Sequence, residues 1–301
     1  MKRTIGLAAV LSVACLAFPH ALASCGSSSP DSAPSSSVEP DAGVDSDPDG
    51  GVEADGAGTG DAGVIRAPLQ STYATDGGSI HMACQGSGAL PVVFLAGGGD
   101  TGAVWANIVA ALGPNVLTCT FDRPGVAPSY VPSTPLTPRV VANALAETLS
   151  RANIGSRFLL VGHSIGGINL RLFGASYADR IAGAMFLDPT VPSLVTSNAS
   201  LEKEVAQLGY DSQATEVEGD AVTSWKSDAP IVVLSHDPAL FVDAGIFSPA
   251  DEAIWDEGQD AYARLTSRGT QTDVTNASHY IFVDAPAVVV SAIRNLLQAA
   301  H

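Results

Sequence analysis

The feature of this sequence that most restricts its fold is an alternation of apolar, strand-like runs with helical segments between residues 67 and 300. Continuous apolar runs such as 91–96 and 181–187 are typical of strands that are buried on both faces. The stretch 138–152 instead carries apolar residues on a helical spacing of three and four. Buried strands that alternate with helices predict an α/β fold with a mostly parallel central sheet flanked by helices.

The predicted elements follow this alternation along the chain. A hairpin signal, Asp76-Gly77-Gly78, joins the first two strands. The stretch 190–229 exceeds an ordinary connection between two strands and predicts a small cap over a site. Predicted strands are 69–73, 80–84, 91–96, 116–121, 157–162, 181–187, 231–235 and 270–275; predicted helices are 101–112, 138–152, 165–177, 250–267 and 285–299.

Residues 1–24 are predicted to be a lipoprotein signal peptide. Lys2 and Arg3 precede an apolar stretch, 5–18, that is too short to cross a bilayer and is followed by polar sequence. The tetrapeptide Leu22-Ala23-Ser24-Cys25 then resembles the lipobox of bacterial lipoproteins. That resemblance implies that Cys25 is lipidated and becomes the first mature residue. The alternative is ordinary signal cleavage nearby, with Cys25 unmodified.

A lipidated Cys25 would place the protein outside the cytoplasm. Acyl chains on a cysteine anchor a protein firmly to a membrane, so we expect an exported protein bound to the bacterial cell envelope. Gly26, rather than Asp, follows the cysteine. By analogy with Gram-negative lipoproteins, this favours the outer membrane if the source is Gram-negative.

The segment 25–64 is predicted to be a disordered linker between the anchor and a folded domain at 65–301. Residues 26–64 are mainly Gly, Ser, Pro, Ala and Asp, with nine acidic residues and no Lys or Arg. Such a composition cannot offset its ordering entropy, and its like charges extend the chain. The whole protein carries a formal net charge of −17. This charge repels phosphate backbones, so we do not expect nucleic acid as a partner.

One motif carries the chemistry. Gly162-His163-Ser164-Ile165-Gly166 matches G-x-S-x-G at the point where a predicted buried strand turns into a helix. A nucleophile elbow needs this context, because its tight turn demands small residues two before and two after the serine. The turn exposes the Ser164 hydroxyl and directs the N–H of Ile165 at a reacting carbonyl.

Residues 67–300 contain, in chain order, the segments VVFLAGGG, FDRPGVAPS, LLVGHSIGG, MFLDP and SHYIFVDAP. With these segments, residues 67–300 resemble the α/β-hydrolase superfamily, in its esterase-like branch with a small cap. The resemblance implies an α/β-hydrolase fold and a serine hydrolase that needs no cofactor. It also implies Ser164 as the nucleophile of an acyl-enzyme mechanism, with a small-molecule ester as substrate.

A serine hydroxyl needs a base to accept its proton. His279 lies in SHYIFVDAP, which resembles the family's histidine loop before the final helix, and the resemblance implies that His279 is this base. His236, after the strand 231–235, is a second possibility. His163 is fixed beside the serine, and its side chain is expected to point away from the open face of the elbow.

Two carboxylates compete to orient the base. Asp188 ends the strand after the nucleophile, and Asp237 follows the next strand, where most family members place their acid. In the commoner arrangement, however, the acid lies slightly further beyond that strand. Some members use the earlier strand, so Asp188 is the preferred acid and Asp237 the alternative. Either gives the chain order Ser, Asp, His.

The second oxyanion donor is implied to be the backbone N–H of Gly98, together with that of Ile165. In the family this donor follows a His-Gly pair, whereas here Ala96 replaces the histidine. The donor is a backbone group, so the function can survive this change. Asp122 and Arg123 resemble a segment of the family that follows a strand, and we expect them to form a structural ion pair and turn.

Cys84 and Cys119 could form a disulfide. The family's strand order places their strands side by side, and an exported domain can keep such a bond. Two buried free thiols are the alternative. No His/Cys cluster has the spacing of a metal site and no phosphate-binding loop is present in the sequence, so no metal or cofactor is predicted.

Ester hydrolysis is the default function, and several alternatives stay open because this fold hosts many reactions. Hydrolysis of amides, lactones, thioesters or carbon–carbon bonds is one group. A cofactor-free haloperoxidase or a hydroxynitrile lyase would use the same side chains differently. A non-catalytic surface protein that keeps the fold for binding is the remaining alternative.

Overall fold

A computed structural model describes residues 69–300 of the chain. The predicted signal peptide 1–24, the predicted lipidation site Cys25 and the predicted linker 25–64 lie outside the described residues. Within residues 69–300, no helix combines the length and the apolar character needed to cross a bilayer.

The described residues form one eight-stranded sheet with the order β1-β2-β4-β3-β5-β6-β7-β8. β1 pairs with β2, and β2 with β4, in antiparallel fashion, and the remaining neighbours are parallel. This is the mostly parallel sheet that the sequence predicts. The strands are β1 (Leu69–Thr75), β2 (Gly78–Gln85), β3 (Val92–Leu95), β4 (Thr118–Phe121), β5 (Phe158–His163), β6 (Ile181–Leu187), β7 (Ile231–Ser235) and β8 (Gly269–Asp273).

Helices cover both faces of the sheet, which explains why every residue of β3, β5 and β6 is buried. Two short 3₁₀ segments, Gly102–Trp105 and Ala178–Arg180, adjoin α1 and β6. The helices are α1 (Ala106–Leu112), α2 (Pro138–Ala152), α3 (Ile165–Ser176), α4 (Pro192–Val195), α5 (Ala199–Gln207), α6 (Ser212–Asp220), α7 (Pro238–Asp243), α8 (Pro249–Ala263), α9 (Ile281–Asp284) and α10 (Pro286–Ala299).

Helix α2 has the predicted bounds because local signals fix both of its ends. Thr137 caps the first turn by accepting a hydrogen bond from the Val140 N–H, and Pro138 occupies the first helical position. Asn153 ends the helix in the left-handed conformation, with φ of 51°.

Two predicted helices differ from the structure. The predicted helix 101–112 begins as the 3₁₀ turn Gly102–Trp105. The predicted helix 250–267 ends at Ala263, because the chain turns there to enter β8. A Cβ placed on Gly269 would lie 1.7 Å from the carbonyl oxygen of Ala263, so this turn is too tight to continue the helix.

Helices α4, α5 and α6, here termed the cap, lie between β6 and β7 in the stretch 190–229. Trp225 connects the base of the cap to the rest of the domain, because the Trp225 indole N–H donates to the Arg171 carbonyl at 3.0 Å. Its ring lies against Gly174, where a Cβ would come within 2.0 Å of it.

A disulfide joins Cys84 and Cys119, which lie directly opposite each other on β2 and β4. Both are buried in the larger of the two apolar clusters of the core. The bond therefore crosslinks the antiparallel side of the sheet.

Candidate active site

Ser164 occupies a strained turn between β5 and α3. Its φ of 52° is unfavourable for a residue with a Cβ and is maintained by the surrounding backbone. The Ser164 N–H donates to the Leu187 carbonyl at 3.1 Å. A Cβ on Gly166 would lie 2.6 Å from the carbonyl oxygen of Leu95, and one on Gly162 would lie 2.9 Å from that of Gly166. The two motif glycines are therefore needed for close backbone packing.

The structure brings His279 to Asp188. His279 lies in the loop between β8 and α9, and its Nδ1 donates to Asp188 Oδ2 at 2.6 Å. Asp188 follows β6 directly and is fully buried, with φ of 42°. Ser164 and His279 line the same cavity.

Asp237, the alternative acid, bonds to backbone groups rather than to His279. Its Oδ1 caps α7 by accepting from the Ala239 N–H at 3.0 Å. Its Oδ2 accepts from the Asn276 N–H at 2.8 Å, and its own N–H donates to the Ala277 carbonyl. Asp237 thus binds the backbone of the histidine loop, whereas Asp188 contacts the imidazole of His279.

Asp188 has two further partners that the sequence did not indicate. The indole N–H of Trp255 donates to Oδ1 at 2.9 Å, and His236 Nδ1 lies 2.9 Å from both carboxylate oxygens. Burial alone would raise the pKa of this carboxyl. The facing rings of His236 and His279 outweigh burial and hold the pKa of Asp188 well below its usual range.

His236 is placed between two carboxylates rather than at the cavity. Its Nε2 lies 3.1 Å from Glu252 Oε1, on the side opposite Asp188, and its ring stacks on Phe241 with centroids 3.6 Å apart. Burial lowers the pKa of an imidazole, but the charges and hydrogen bonds of Asp188 and Glu252 dominate and raise the pKa of His236 to about 10. His236 is thus a buried cation.

One face of α8 supports the segment that carries Asp188. Gln259 donates to the Pro189 carbonyl at 2.9 Å, and the Tyr262 hydroxyl donates to the Thr190 carbonyl at 2.7 Å. Together with Glu252 and Trp255 these residues recur at intervals of three and four along the helix. That spacing is the signal in the sequence that could have identified this face.

Ile165 opens α3, so its N–H has no acceptor within the helix, and it stays a predicted oxyanion donor together with the N–H of Gly98. The loop of Gly98 is held from behind, where Arg123 Nη1 donates to the Gly97 carbonyl at 2.7 Å. A Cβ on Gly98 would lie 2.5 Å from Leu208 Cδ1, so the cap packs directly on this loop.

Asp122 and Arg123 do not form the expected ion pair with each other. Asp122 Oδ2 contacts His81 Nδ1 at 2.8 Å, and its Oδ1 accepts from the Gly102 N–H at 2.7 Å. Arg123 instead reaches the loop of Gly98, as described above. Both residues support the start of the helical region after β3, so their predicted structural role is met through different partners.

His163 packs beside His279, although its side chain is expected to point away from the elbow's open face. The two rings lie 4.6 Å apart, and His163 Nε2 is 3.0 Å from the His279 carbonyl oxygen. Burial, more than any neighbour, lowers the pKa of His163 to about 3, so the ring is neutral. A neutral His163 can donate to that carbonyl and help to hold the histidine loop.

The cavity above Ser164 measures about 480 Å³ and is largely apolar. Its walls come from the cap helix α5, from the segment 241–247 and from the histidine loop. Phe241 contributes to it, whereas Trp225 lies at the cap base. Its apolar lining includes Val104, Leu201, Val205, Leu208, Phe241, Ile246, Phe247, Phe282 and Val283.

Two carboxyl groups also face this cavity. Burial raises the pKa of Asp100 and of Glu204, and both lie within electrostatic reach of His279. Asp100 Oδ2 is buried and has no hydrogen-bond partner within residues 69–300. Across the same residues, no group of three or more His, Cys, Asp or Glu side chains is arranged to hold a metal ion.

Comparisons with known proteins agree with this architecture. A family model described as alpha/beta hydrolase fold matches residues 91–216. YqjL of Bacillus subtilis is 25% identical over 239 residues, which cover 77% of this chain and 93% of YqjL. The esterase Rv0045c of Mycobacterium tuberculosis is 30% identical over 142 residues, and the match covers 46% of each chain. This chain thus spans less than half the length of that esterase.

A solved structure gives the same answer for the fold. A thermophilic esterase from Thermogutta terrifontis superposes with a TM-score of 0.56 at 20% identity, over 77% of this chain and 99% of that one. At this identity the likeness speaks for the fold alone. With the sheet order and the family match, it shows that this chain has the α/β-hydrolase fold.

Proposed function

We propose that this protein is a serine hydrolase that cleaves carboxylic esters through an acyl-enzyme on Ser164. The observation that carries the proposal is the 2.6 Å contact between His279 Nδ1 and Asp188 Oδ2, together with a strained Ser164 that lines the same apolar cavity as His279. A base oriented by a buried carboxylate, beside a serine hydroxyl that lines a cavity, is the arrangement that activates a serine. The esterase relative supports ester chemistry.

In the first half of the reaction, the Ser164 hydroxyl attacks the ester carbonyl and His279 Nε2 takes its proton. The negative charge that develops on the carbonyl oxygen is stabilised by the N–H groups of Ile165 and Gly98. Asp188 stays ionised, holds the Nδ1–H tautomer and stabilises the imidazolium. His279 then returns the proton to the alkoxide as the C–O bond breaks, which releases the alcohol and leaves Ser164 acylated.

In the second half, water replaces the alcohol. His279 takes a proton from water as the oxygen attacks the acyl carbonyl, and the same two N–H groups bind the oxyanion. Collapse of this intermediate breaks the bond to Ser164 Oγ, and His279 returns the proton to that oxygen. The products are the carboxylic acid and the free enzyme.

Hydrolysis of 4-nitrophenyl esters of several chain lengths tests the proposal. We expect Ser164→Ala to lower kcat/KM by about 10⁴-fold or more, because it removes the nucleophile. Ser150→Ala is the matched control, since the Ser150 hydroxyl bonds to the Ala146 carbonyl on α2, outside the cavity. Equal activity in wild type and Ser164→Ala would rule out this nucleophile.

A fluorophosphonate probe covers the case in which none of these esters is hydrolysed. The probe should label the wild-type protein once, at Ser164, and should not label Ser164→Ala. Labelling without ester turnover would point to another acyl substrate, whereas no labelling of folded protein would contradict the serine-hydrolase proposal.

We also propose that the substrate has a neutral and largely apolar acyl group. The apolar walls fit an acyl chain, and the carboxyl groups of Asp100 and Glu204 would repel an anion inside a cavity of low polarity. Two esters of equal length test this: 4-nitrophenyl hexanoate should exceed mono-4-nitrophenyl adipate in kcat/KM by about tenfold or more. Replacing Asp100 by Asn and Glu204 by Gln should reduce this difference in kcat/KM between the two esters.

Anchoring of the protein through a lipidated Cys25 is a separate proposal, supported by the tetrapeptide that resembles a lipobox. Cells fed an alkyne-bearing fatty acid should incorporate it into the wild-type protein and not into Cys25→Ser. The variant should also leave the membrane fraction, since no acyl chain would hold it there. An unlabelled wild-type protein would indicate ordinary signal cleavage instead.

A further inference from the structure

A series of buried, hydrogen-bonded charged residues continues behind Asp188, on the side away from the cavity. His236 Nδ1 donates to Asp188, with both oxygens at 2.9 Å, and its Nε2 donates to Glu252 Oε1 at 3.1 Å. These groups are therefore connected by hydrogen bonds in the order Glu252, His236, Asp188 and His279. Of these four residues, His279 alone lines the cavity that holds Ser164.

The three connected residues behind His279 are closed to solvent. The exposed fractions are 1% for His236, 0% for Asp188 and 7% for Glu252. Phe241 stacks on one face of the His236 ring, and Phe247 packs nearby with centroids 6.3 Å away. A buried charge is strongly destabilising unless it is paired and hydrogen-bonded. An imidazolium with a carboxylate at each nitrogen satisfies every polar atom of the ring.

The pair changes the field at His279 without changing the total charge. Asp188 alone would contribute one negative charge beside a neutral His279. Adding the His236 cation and the Glu252 anion leaves the sum at one negative charge. Through the shared carboxylate, the cation opposes protonation of His279, and the more distant anion favours it.

We propose that His236 and Glu252 are positioning residues that orient Asp188 and set the proton affinity of His279 by two opposed charges. This inference rests on the proposed function, because it assumes that His279 acts as the base. His236 fixes the face of the carboxylate opposite His279. Asp188, whose influence on His236 is larger than that of Glu252, keeps His236 cationic, and Glu252 offsets part of the effect of that cation on His279.

Other titratable groups around these four residues provide a constant background. His163, Asp100 and Glu204 face His279 from the elbow, the oxyanion loop and the cap. Asp256, one turn along α8, lies within electrostatic reach of Glu252, and Asp273 of β8 reaches Asp256. None of these groups is altered by the two substitutions that test the proposal.

The test is the pH dependence of kcat/KM for a neutral ester. Activity needs neutral His279, so kcat/KM falls as pH decreases through the acid limb. Glu252→Gln removes the anion while its amide oxygen can still accept from His236, and we expect the limb to move to lower pH. His236→Gln removes the cation, and we expect the limb to move to higher pH. Each shift should be about 0.5 to 1 unit.

Opposite shifts of the acid limb in the two variants distinguish an electrostatic role from a purely structural one. Tyr262→Phe is the matched control, because it removes a buried hydrogen bond from the same face of α8 without altering a charge. It should lower kcat and leave the acid limb in place. Shifts of Glu252→Gln and His236→Gln in the same direction, or no shift in either, would overturn the proposal.

Histidine ¹⁵N NMR provides a readout that does not require turnover. The ring nitrogens of His236 should show the imidazolium state at pH 8, and the titration of His279 should move in the two variants as the acid limb does. If wild type cleaves no ester, this titration still decides the inference, while the absent activity counts against the proposed function alone. A neutral His236 ring at pH 8 would contradict the charge chain.

Discussion

Strands β4 and β6 end in similar sequences, FDRP and FLDP, and the aspartates that follow them have different surroundings. Asp122 meets one imidazole, of His81, and one backbone N–H, of Gly102. Asp188 meets the imidazoles of His236 and His279 and an indole N–H. A strand-end aspartate is thus not in itself a sign of catalysis. The groups that the neighbouring elements present to it decide its role.

The sheet order explains the difference. β6 lies directly beside β5, which leads into the strained turn of Ser164, whereas β3 separates β4 from β5. Asp188 is thereby within reach of the histidine loop. Asp122 lies behind the loop of Gly98 and stabilises its continuation into the 3₁₀ turn Gly102–Trp105.

The largest expected effect comes from Asp188→Asn. Asn tolerates the positive φ at this position, so the backbone should survive while the carboxylate that holds the His279 tautomer is lost. We expect kcat/KM for a neutral ester to fall by about 10³- to 10⁴-fold. A fall of less than tenfold, with the fold intact by circular dichroism, would remove Asp188 as the acid.

The next largest effect concerns stability on the Asp122 side of the sheet, where Cys84 and Cys119 crosslink β2 to β4. The double variant Cys84→Ala, Cys119→Ala should lose about 2–4 kcal/mol of unfolding free energy, because the bond closes a loop of 35 residues in the unfolded chain. Denaturant unfolding measures this loss. The variant should keep kcat within about twofold at low temperature, since the bond is outside the cavity.

Asp122→Asn is the matched counterpart of Asp188→Asn and should have a smaller effect. The amide oxygen can still accept from the Gly102 N–H, but the charge that faces His81 is lost. We expect kcat/KM to fall by about tenfold or less, through looser positioning of the oxyanion loop. A loss as large as that in Asp188→Asn would mean that the two aspartates do not differ in role as proposed.

Measured per unit of pH, the smallest effect is a slope in stability. The pKa of His236 is about 10 in the folded protein against 6.5 for the free side chain, so its stabilisation is complete below pH 6.5 and is lost as pH rises toward 10. His163 has a folded pKa of about 3, so its contribution is lost as pH falls from 6.5 toward 3. Neither slope exceeds tenfold per pH unit in the unfolding constant.

Urea unfolding between pH 7 and pH 10 detects the His236 contribution. The wild-type unfolding free energy should decline across this range. His236→Gln should be less stable at pH 7 and should decline less, because the cation is no longer present. Parallel curves for the two proteins would show that His236 is not the source of the slope.

The sequence predicted those parts of the fold that depend on local signals. Helix α2 has its predicted bounds because Thr137, Pro138 and Asn153 mark its ends. The short cap helices were missed, since helices of four to nine residues are stabilised by tertiary packing rather than by their own sequence. The turn at Ala263 depends on the contact with Gly269 and could not be read locally.

In the candidate site, too, some residues could be predicted from local sequence and others depend on tertiary packing. The motif places Ser164, and the histidine loop places His279, because each lies at a recognisable transition between elements. The choice between Asp188 and Asp237 depended on how two loops meet in space. The partnership of His236 with Glu252 depends on the packing of α8 against the ends of β6 and β7, which no single stretch of sequence encodes.

The cap has a consequence for how this domain can diversify. The proposed reacting groups, Ser164, Asp188 and His279, belong to segments that leave the sheet, whereas the cavity walls come largely from α5 and residues 241–247. In the proposed mechanism, selectivity and reactivity are therefore encoded in separate segments of the chain. Exchanging those wall segments for others of similar length should yield a family of catalysts with different chain-length preferences and one shared chemistry.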